Sequence, residues 1–249
     1  RFPMCELFAM SSGCQLTAQE YLPPFADKAR ANISGWGIGF FRNGSVHIEK
    51  SCDGVFVDDQ LHDAFRRLAR VIDSRIILSH IRCPKAGHRK ESHAQPLTDR
   101  FLDHNWLFIC AAESDKLVAY QSPRPLMAEE LVGARVLEFV RDRMTAGLDA
   151  EPRQSLYQVL AIGCKQLITT YPGRYCFFLA NESVLFAFFN HAQVLTYRTP
   201  EELGETLLIT TVSGGLTHGG NWHTYRQEDP SRGQIIMISG ADLLYQGYL

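Results

Sequence analysis

The sequence has no cysteine pair at C-x-x-C spacing, no marked excess of either charge, and no apolar run long enough to cross a bilayer. Its seven cysteines, Cys5, Cys14, Cys52, Cys83, Cys110, Cys164 and Cys176, are odd in number and scattered. That argues against a disulfide framework or a zinc ribbon and fits a reducing compartment. Lys and Arg number 25 against 27 Asp and Glu, a formal net charge of −2. Such a balance gives no electrostatic footprint for nucleic acid or an anionic membrane, and neither partner is expected. The amino end lacks a basic segment followed by an apolar one, so the protein reads as cytoplasmic. No repeat, low-complexity run or linker divides the chain. The histidines include no H-x-x-x-H spacing, so neither metal nor cofactor is expected.

What is present is ordinary globular material. Hydrophobic residues make up 45% and charged residues 21% of 249 positions, enough apolar surface for one domain with a substantial core. Dense β-branched and aromatic stretches predict strands at Cys5–Met10, Trp36–Phe41, Val46–Glu49, Arg75–Ile81, Trp106–Ala111, Arg174–Ala180, Val184–Phe189, Leu207–Val212 and Gln234–Ser239. Helical spacing of apolar residues predicts Leu61–Ile72, Glu129–Met144 and Gln154–Thr170. The turns at Asn43-Gly44 and Asn181-Glu182-Ser183 read as hairpins. Strands interrupted by a helical pair imply helices packed on largely antiparallel sheets, an α+β arrangement. The polar stretches Lys85–Ser92 and Ser213–Pro230 read as loops.

Four blocks stand out in order: Met4-Cys5-Glu6-Leu7-Phe8-Ala9-Met10-Ser11, Gly35-Trp36-Gly37-Ile38-Gly39, Ser74-Arg75-Ile76-Ile77-Leu78-Ser79-His80-Ile81-Arg82, and Ala94-Gln95-Pro96-Leu97. Together they resemble the class II glutamine amidotransferases of the stand-alone, small-domain type. An ordered series over about a hundred residues is far more specific than any single motif. The resemblance implies a four-layer αββα sandwich of N-terminal nucleophile hydrolase type over residues 4–249, residues 1–3 being an extension or an expression remnant. It also implies hydrolysis of the glutamine side-chain amide, with glutamine or a γ-glutamyl small molecule as ligand. Cys5 would be the nucleophile, with Arg82, Trp36 and Gln95 on the substrate. Judged as residues alone, Trp36 reads as core or pocket wall and Gln95 as a turn-fixing side chain. The basic run Lys85, His88, Arg89 and Lys90 beside Arg82 would favour an anionic ligand if it folds over the site.

The sequence departs from that family where charge must be stabilised. The family's His-Asn-Gly, whose asparagine and glycine N–H form the oxyanion hole, is matched by Cys110-Ala111-Ala112. Its Asp-Ser-Glu, whose aspartate holds the substrate ammonium, is matched by Ala128-Glu129-Glu130. After Arg82 the family's Ala-Thr is replaced by Pro84-Lys85. With Arg1-Phe2-Pro3-Met4 attached, the Cys5 nitrogen is an amide and cannot act as a base. Two readings follow: a glutaminase-type enzyme with reduced or lost activity, and a non-catalytic binding or partner module that keeps the fold. Whether a protein partner or a second copy is involved is left open.

Overall fold

The computed structural model describes residues 5–32, 34–83, 94–118, 128–150, 155–201, 204–217 and 220–249. In chain order the elements are β1 Glu6–Thr17, α1 Leu22–Lys28, β2 Trp36–Arg42, β3 Ser45–Ser51, β4 Phe56–Val57, β5 Gln60–Leu61, α2 Asp63–Val71 and β6 Asp73–Ile81. Then follow β7 Leu97–Phe101, β8 His104–Glu113, α3 Asp115–Val118, α4 Ala128–Ala150, α5 Leu156–Thr170, β9 Arg174–Ala180 and β10 Leu185–Phe189. The chain closes with β11 Ala192–Arg198, β12 Thr206–Thr210, β13 His223–Gln227, β14 Gln234–Ser239 and β15 Asp242–Tyr248.

Two large antiparallel sheets result. One has seven strands in the order β13-β11-β12-β1-β6-β2-β3, the other six in the order β15-β14-β10-β9-β8-β7. Strand alternation sends successive side chains to opposite faces, and three apolar clusters record the outcome. Leu7, Ala9, Ile76, Leu78, Leu107, Ile109, Phe178 and Ile236 meet between the sheets. Phe8, Met10, Trp36, Ile38, Phe40, Ile77 and Ile81 pack outward on Phe25 of α1 and Phe65 of α2. Trp106, Phe108, Phe177 and Phe186 pack outward on Val140, Met144, Leu160 and Leu167 of α4 and α5. The layers run helix, sheet, sheet, helix, as the resemblance implies. Each fully buried Leu or Phe contributes about 1.5–3 kcal/mol relative to exposure.

Local chemistry sets the boundaries. Helix α5 begins with a capping box in which the Ser155 side chain accepts from the Gln158 N–H and Gln158 returns a bond to the Ser155 N–H. Such caps contribute about 1 kcal/mol. The β9–β10 hairpin is held by Asn181, whose Oδ1 accepts from the N–H of Ser183 at 2.8 Å and of Val184 at 3.0 Å. The three expected helices form, α4 running past Met144 to Ala150.

Several strands were not evident from the sequence. The expected loop Ser213–Pro230 contains β13, in which only Tyr225 is buried, so its pattern carries almost no apolar signal. Edge strand β15 is exposed at six of seven positions apart from half-buried Gly247. Strands β7 and β11 were also unforeseen. Among the described residues no helix is long and apolar enough to cross a membrane.

Candidate active site

The site follows from the register of the seven-stranded sheet. Strand β1 is interior, with β12 on one side and β6 on the other, and Glu6 opposes Ile81. Continuing that ladder by one residue sets Cys5 opposite Arg82. On β6 Ile76 and Leu78 face the second sheet, so alternation directs His80 and Arg82 to that face as well. Cys5 packs against the same inter-sheet cluster. The two candidate residues therefore share one face at one end of adjacent strands. Arg82 is buried, and its backbone is tied to β2 by its N–H on the Gly35 carbonyl at 2.8 Å. The backbone N–H of Cys83 donates to the Cys5 sulfur at 3.4 Å.

One row deeper, Leu7, His80, Gly37 and Lys50 are register partners across β1, β6, β2 and β3. His80 is 1% exposed, and neither ring nitrogen has a hydrogen-bond partner. Burial, with Arg82 and Lys50 adding positive charge, pushes its pKa down to about 3. The imidazole is therefore neutral at ordinary pH.

The glycines of β2 explain how the second sheet approaches so closely. A Cβ at Gly37 would lie 2.0 Å from the Gln95 carbonyl oxygen, and one at Gly39 would lie 2.8 Å from Leu107 and 2.9 Å from Pro96. The bare inner face of β2 is the seat of the Gln95-Pro96 turn, whose peptide is cis. Gln95 does not reach Arg82 through any described contact. Its side-chain amide pairs with the Cys110 backbone instead, Nε2 donating to the carbonyl at 3.1 Å and Oε1 accepting from the N–H at 2.5 Å. Because β7 opposes β8 as Leu97 to Phe108, position 95 falls opposite Cys110, and the amide stands in for the next rung of the ladder.

That rung orients the residues after it. Both backbone groups of Cys110 point to the β7 side, and a strand repeats its direction every second residue. The Ala112 N–H is therefore aimed to the same side, past Gln95 where β7 has ended. Ala111 is 7% exposed and sends its methyl to the inter-sheet face, the face Cys5 occupies. No side-chain donor exists at that position. The neighbouring thiol of Cys110 is held protonated, chiefly by burial and additionally by Cys176 and Cys5.

Trp36 lies elsewhere. It opposes Ile81 on the helix-side face and is 1% exposed. Its ring meets Phe65 edge-on at 5.1 Å and His62 at 5.5 Å. Alternation makes it a core residue on the far side of the sheet from Cys5, rather than a wall of the Cys5 face. Helix α4 is described from Ala128, and residues 119–127 before it lie outside the described residues. Residues 1–4, and Lys85, His88, Arg89 and Lys90, lie outside the described residues. Among those described, no three His, Cys, Asp or Glu side chains group as metal ligands. The sequence reading did not single out Lys50. The Asn43-Gly44 hairpin carries the signal for it, since pairing Arg42 with Ser45 sets Lys50 opposite Gly37.

The fold is that of the N-terminal nucleophile amidotransferases. Residues 4–207 match the family model for class II glutamine amidotransferases, and the chain belongs to that family. Solved structures agree in fold. A predicted glutamine amidotransferase from Pseudomonas aeruginosa PA01 is 17% identical with a TM-score of 0.61, covering 97% of this chain and 100% of its own. A glutamine aminotransferase class-II domain protein from Silicibacter pomeroyi is 11% identical with a TM-score of 0.57, covering 97% and 98%. Glutamine phosphoribosylpyrophosphate amidotransferase from B. subtilis, 11% identical with a TM-score of 0.61, is covered over 49% of its length by 98% of this chain. No match was found among curated proteins.

Proposed function

We propose that the Cys5 end of the inter-sheet face binds glutamine or a γ-glutamyl compound, and that its turnover of glutamine is slow. The observation that carries this reading is the opposition of Cys5 and Arg82 on one face of neighbouring strands. A guanidinium there offers two parallel donors to the ligand's α-carboxylate, which sets the γ-amide toward Cys5. When residue 5 is the first of the chain, its α-amine, with a reference pKa of about 8, takes the thiol proton. The sulfur then attacks the amide carbon to give a tetrahedral oxyanion, the terminal ammonium passes its proton to the nitrogen as the C–N bond breaks and ammonia leaves, and water hydrolyses the resulting thioester to release the acid and the thiol.

Slow turnover is supported by the environment of the oxygen that becomes negative in that step. The Ala112 N–H is one donor of suitable direction, and Ala111 supplies none. Losing one such donor slows acyl transfer by roughly a hundred- to a thousand-fold. The same substitution favours a second reading, a module that binds an amino-acid ligand without hydrolysing it. Both readings require the ligand to seat on Arg82, so binding is the first test. Calorimetric titration with L-glutamine is expected to give saturable binding that D-glutamine does not. Arg82→Ala should weaken it roughly ten- to a hundred-fold, the size of a charge-assisted bond of about 1.5–3 kcal/mol. Binding unchanged by Arg82→Ala would reject the assignment.

A further inference from the structure

Among the described residues seven large apolar side chains stand exposed, and four of them, Leu243, Leu244, Tyr245 and Tyr248, lie on β15 at the edge of the six-stranded sheet. The other three edges of the two large sheets carry charge: Glu49 and Lys50 on β3, Asp99 and Arg100 on β7, Arg226 on β13. Charged side chains discourage an edge from pairing with another strand. On β15 the only charged side chain is Asp242, and Arg198 holds it in an ion pair. A bulge interrupts the β14–β15 ladder, with Met237 opposite Tyr245 and Ile238 opposite Leu243, so Leu244 has no counterpart. Beyond it the edge is regular from Tyr245 to Tyr248. The next rung gives the direction of its backbone. The Leu249 N–H donates to the Gly233 carbonyl at 2.9 Å, in the register that sets Tyr248 opposite Gln234. Leu249, Gly247 and Tyr245 therefore turn their backbone groups to β14, and Gln246 and Tyr248 turn theirs to the open side.

We propose that β15 is the seat of a weak symmetric dimer, in which a second copy of this chain adds its own β15, antiparallel and centred on Gly247. Opposite residues of an antiparallel pair share a face. A two-fold axis at Gly247 therefore sets Gln246 against the partner's Tyr248 and Tyr248 against the partner's Gln246. Those are the residues with outward groups, and each pair exchanges N–H to C=O bonds in both directions. Gly247 meets its own copy at the axis, where no side chain intervenes. On the α5 side Tyr245, stacked on Tyr157 at 4.8 Å, comes to face the partner's Leu249. No like charges meet in this register, and the two-fold makes one patch complementary to itself. A second copy fits this edge better than an acidic or basic peptide, for which it holds no complementary charge. Each copy has one such edge, so association closes at two. The half-exposed tyrosines and leucines supply roughly 300–400 Å² per copy, against about 800 Å² per partner in a stable complex. The dimer is accordingly weak, with a Kd of about 10–100 µM. The inference makes no use of Cys5, so it and the glutamine reading fail separately.

The test is sedimentation velocity of the full chain under reducing conditions from about 1 to about 500 µM, with amide hydrogen exchange at both ends of that range. The expected result is a reversible shift from monomer to dimer as concentration rises. Exchange at the Gln246 and Tyr248 amides should slow about tenfold or more in the concentrated sample, and exchange in β13 should not. Gln246→Pro removes an outward N–H, a change an edge strand tolerates, and Tyr248→Lys leaves the backbone intact and adds a charge. Each, checked for a melting temperature close to wild type, should weaken association at least about tenfold. Should the proline variant fail to fold, the lysine variant decides. Val71→Lys, which alters an exposed apolar residue of α2, should leave association unchanged. A wild-type chain that stays monomeric at the highest concentration, a dimer that Tyr248→Lys leaves intact, or growth beyond two copies would overturn the proposal.

Discussion

Cys5 and Arg82 stand opposite each other on adjacent antiparallel strands, one position beyond the Glu6–Ile81 pair. Each directly extends a strand, since β1 begins at Glu6 and β6 ends at Ile81. The Arg82 N–H is tied to the Gly35 carbonyl at 2.8 Å. Rigid support of this kind is what a binding constellation requires.

Substituting the arginine tests the shape of that support. Arg82→Lys keeps the charge and loses the planar fork. Affinity for L-glutamine should therefore fall nearly as far as in Arg82→Ala, read by calorimetry, whereas a simple electrostatic site would keep most of it.

Gly37 tests the sheet approach. Gly37→Ala puts a methyl 2.0 Å from the Gln95 carbonyl, where the obstacle is backbone and cannot rotate away. A loss of about 1–3 kcal/mol is expected in urea unfolding, typical of overpacking. Gly13→Ala, with nothing within 4 Å, should change stability far less.

Gln95 gives a matched pair of variants. Gln95→Ala leaves both backbone groups of Cys110 without their partner, at an expected cost of about 1–3 kcal/mol. Gln95→Glu retains the acceptor for the Cys110 N–H but, when ionised, meets the Cys110 carbonyl with like charge. It should therefore be less stable at pH 7.5 than at pH 5.5 relative to wild type.

His80 governs the acid limb of stability. Its folded pKa is lowered to about 3 from 6.5, so below pH 6.5 the unfolded chain takes up a proton that the folded chain refuses. Stability is lost as pH falls from 6.5 toward 3, by up to about 1.4 kcal/mol per unit from this group. His80→Leu should flatten the decline in unfolding free energy between pH 6.5 and 4.5. An unchanged slope would show that other groups set it.

Much of this layout was legible in the sequence. The Asn43-Gly44 turn fixes the β2–β3 register, the glycines at 35, 37 and 39 announce a bare strand face, and the ordered motifs bring Cys5 to Arg82. The faces of single residues were less legible. Trp36 sits beside two glycines that face the site, and only strand alternation reveals that its indole points the other way. The Gln95-Pro96 turn lies against Gly37, the register partner of His80, an approach between segments far apart in sequence that no local pattern encodes. Strands β13 and β15 were missed because sheet edges bury little and so leave no apolar alternation to detect.

The proposed site has Cys5 as its nucleophile and no side-chain oxyanion donor at Ala111. Its most direct test is ammonia release from L-glutamine by chains whose first residue is Cys5, comparing wild type, Ala111→Asn with Ala112→Gly, and Cys5→Ala. Little release is expected from wild type, a rise of roughly a hundred-fold in the double variant as a donor returns, and none from Cys5→Ala. Brisk release from wild type that Cys5→Ala abolishes would contradict it, because another group would then supply the donor assigned as missing.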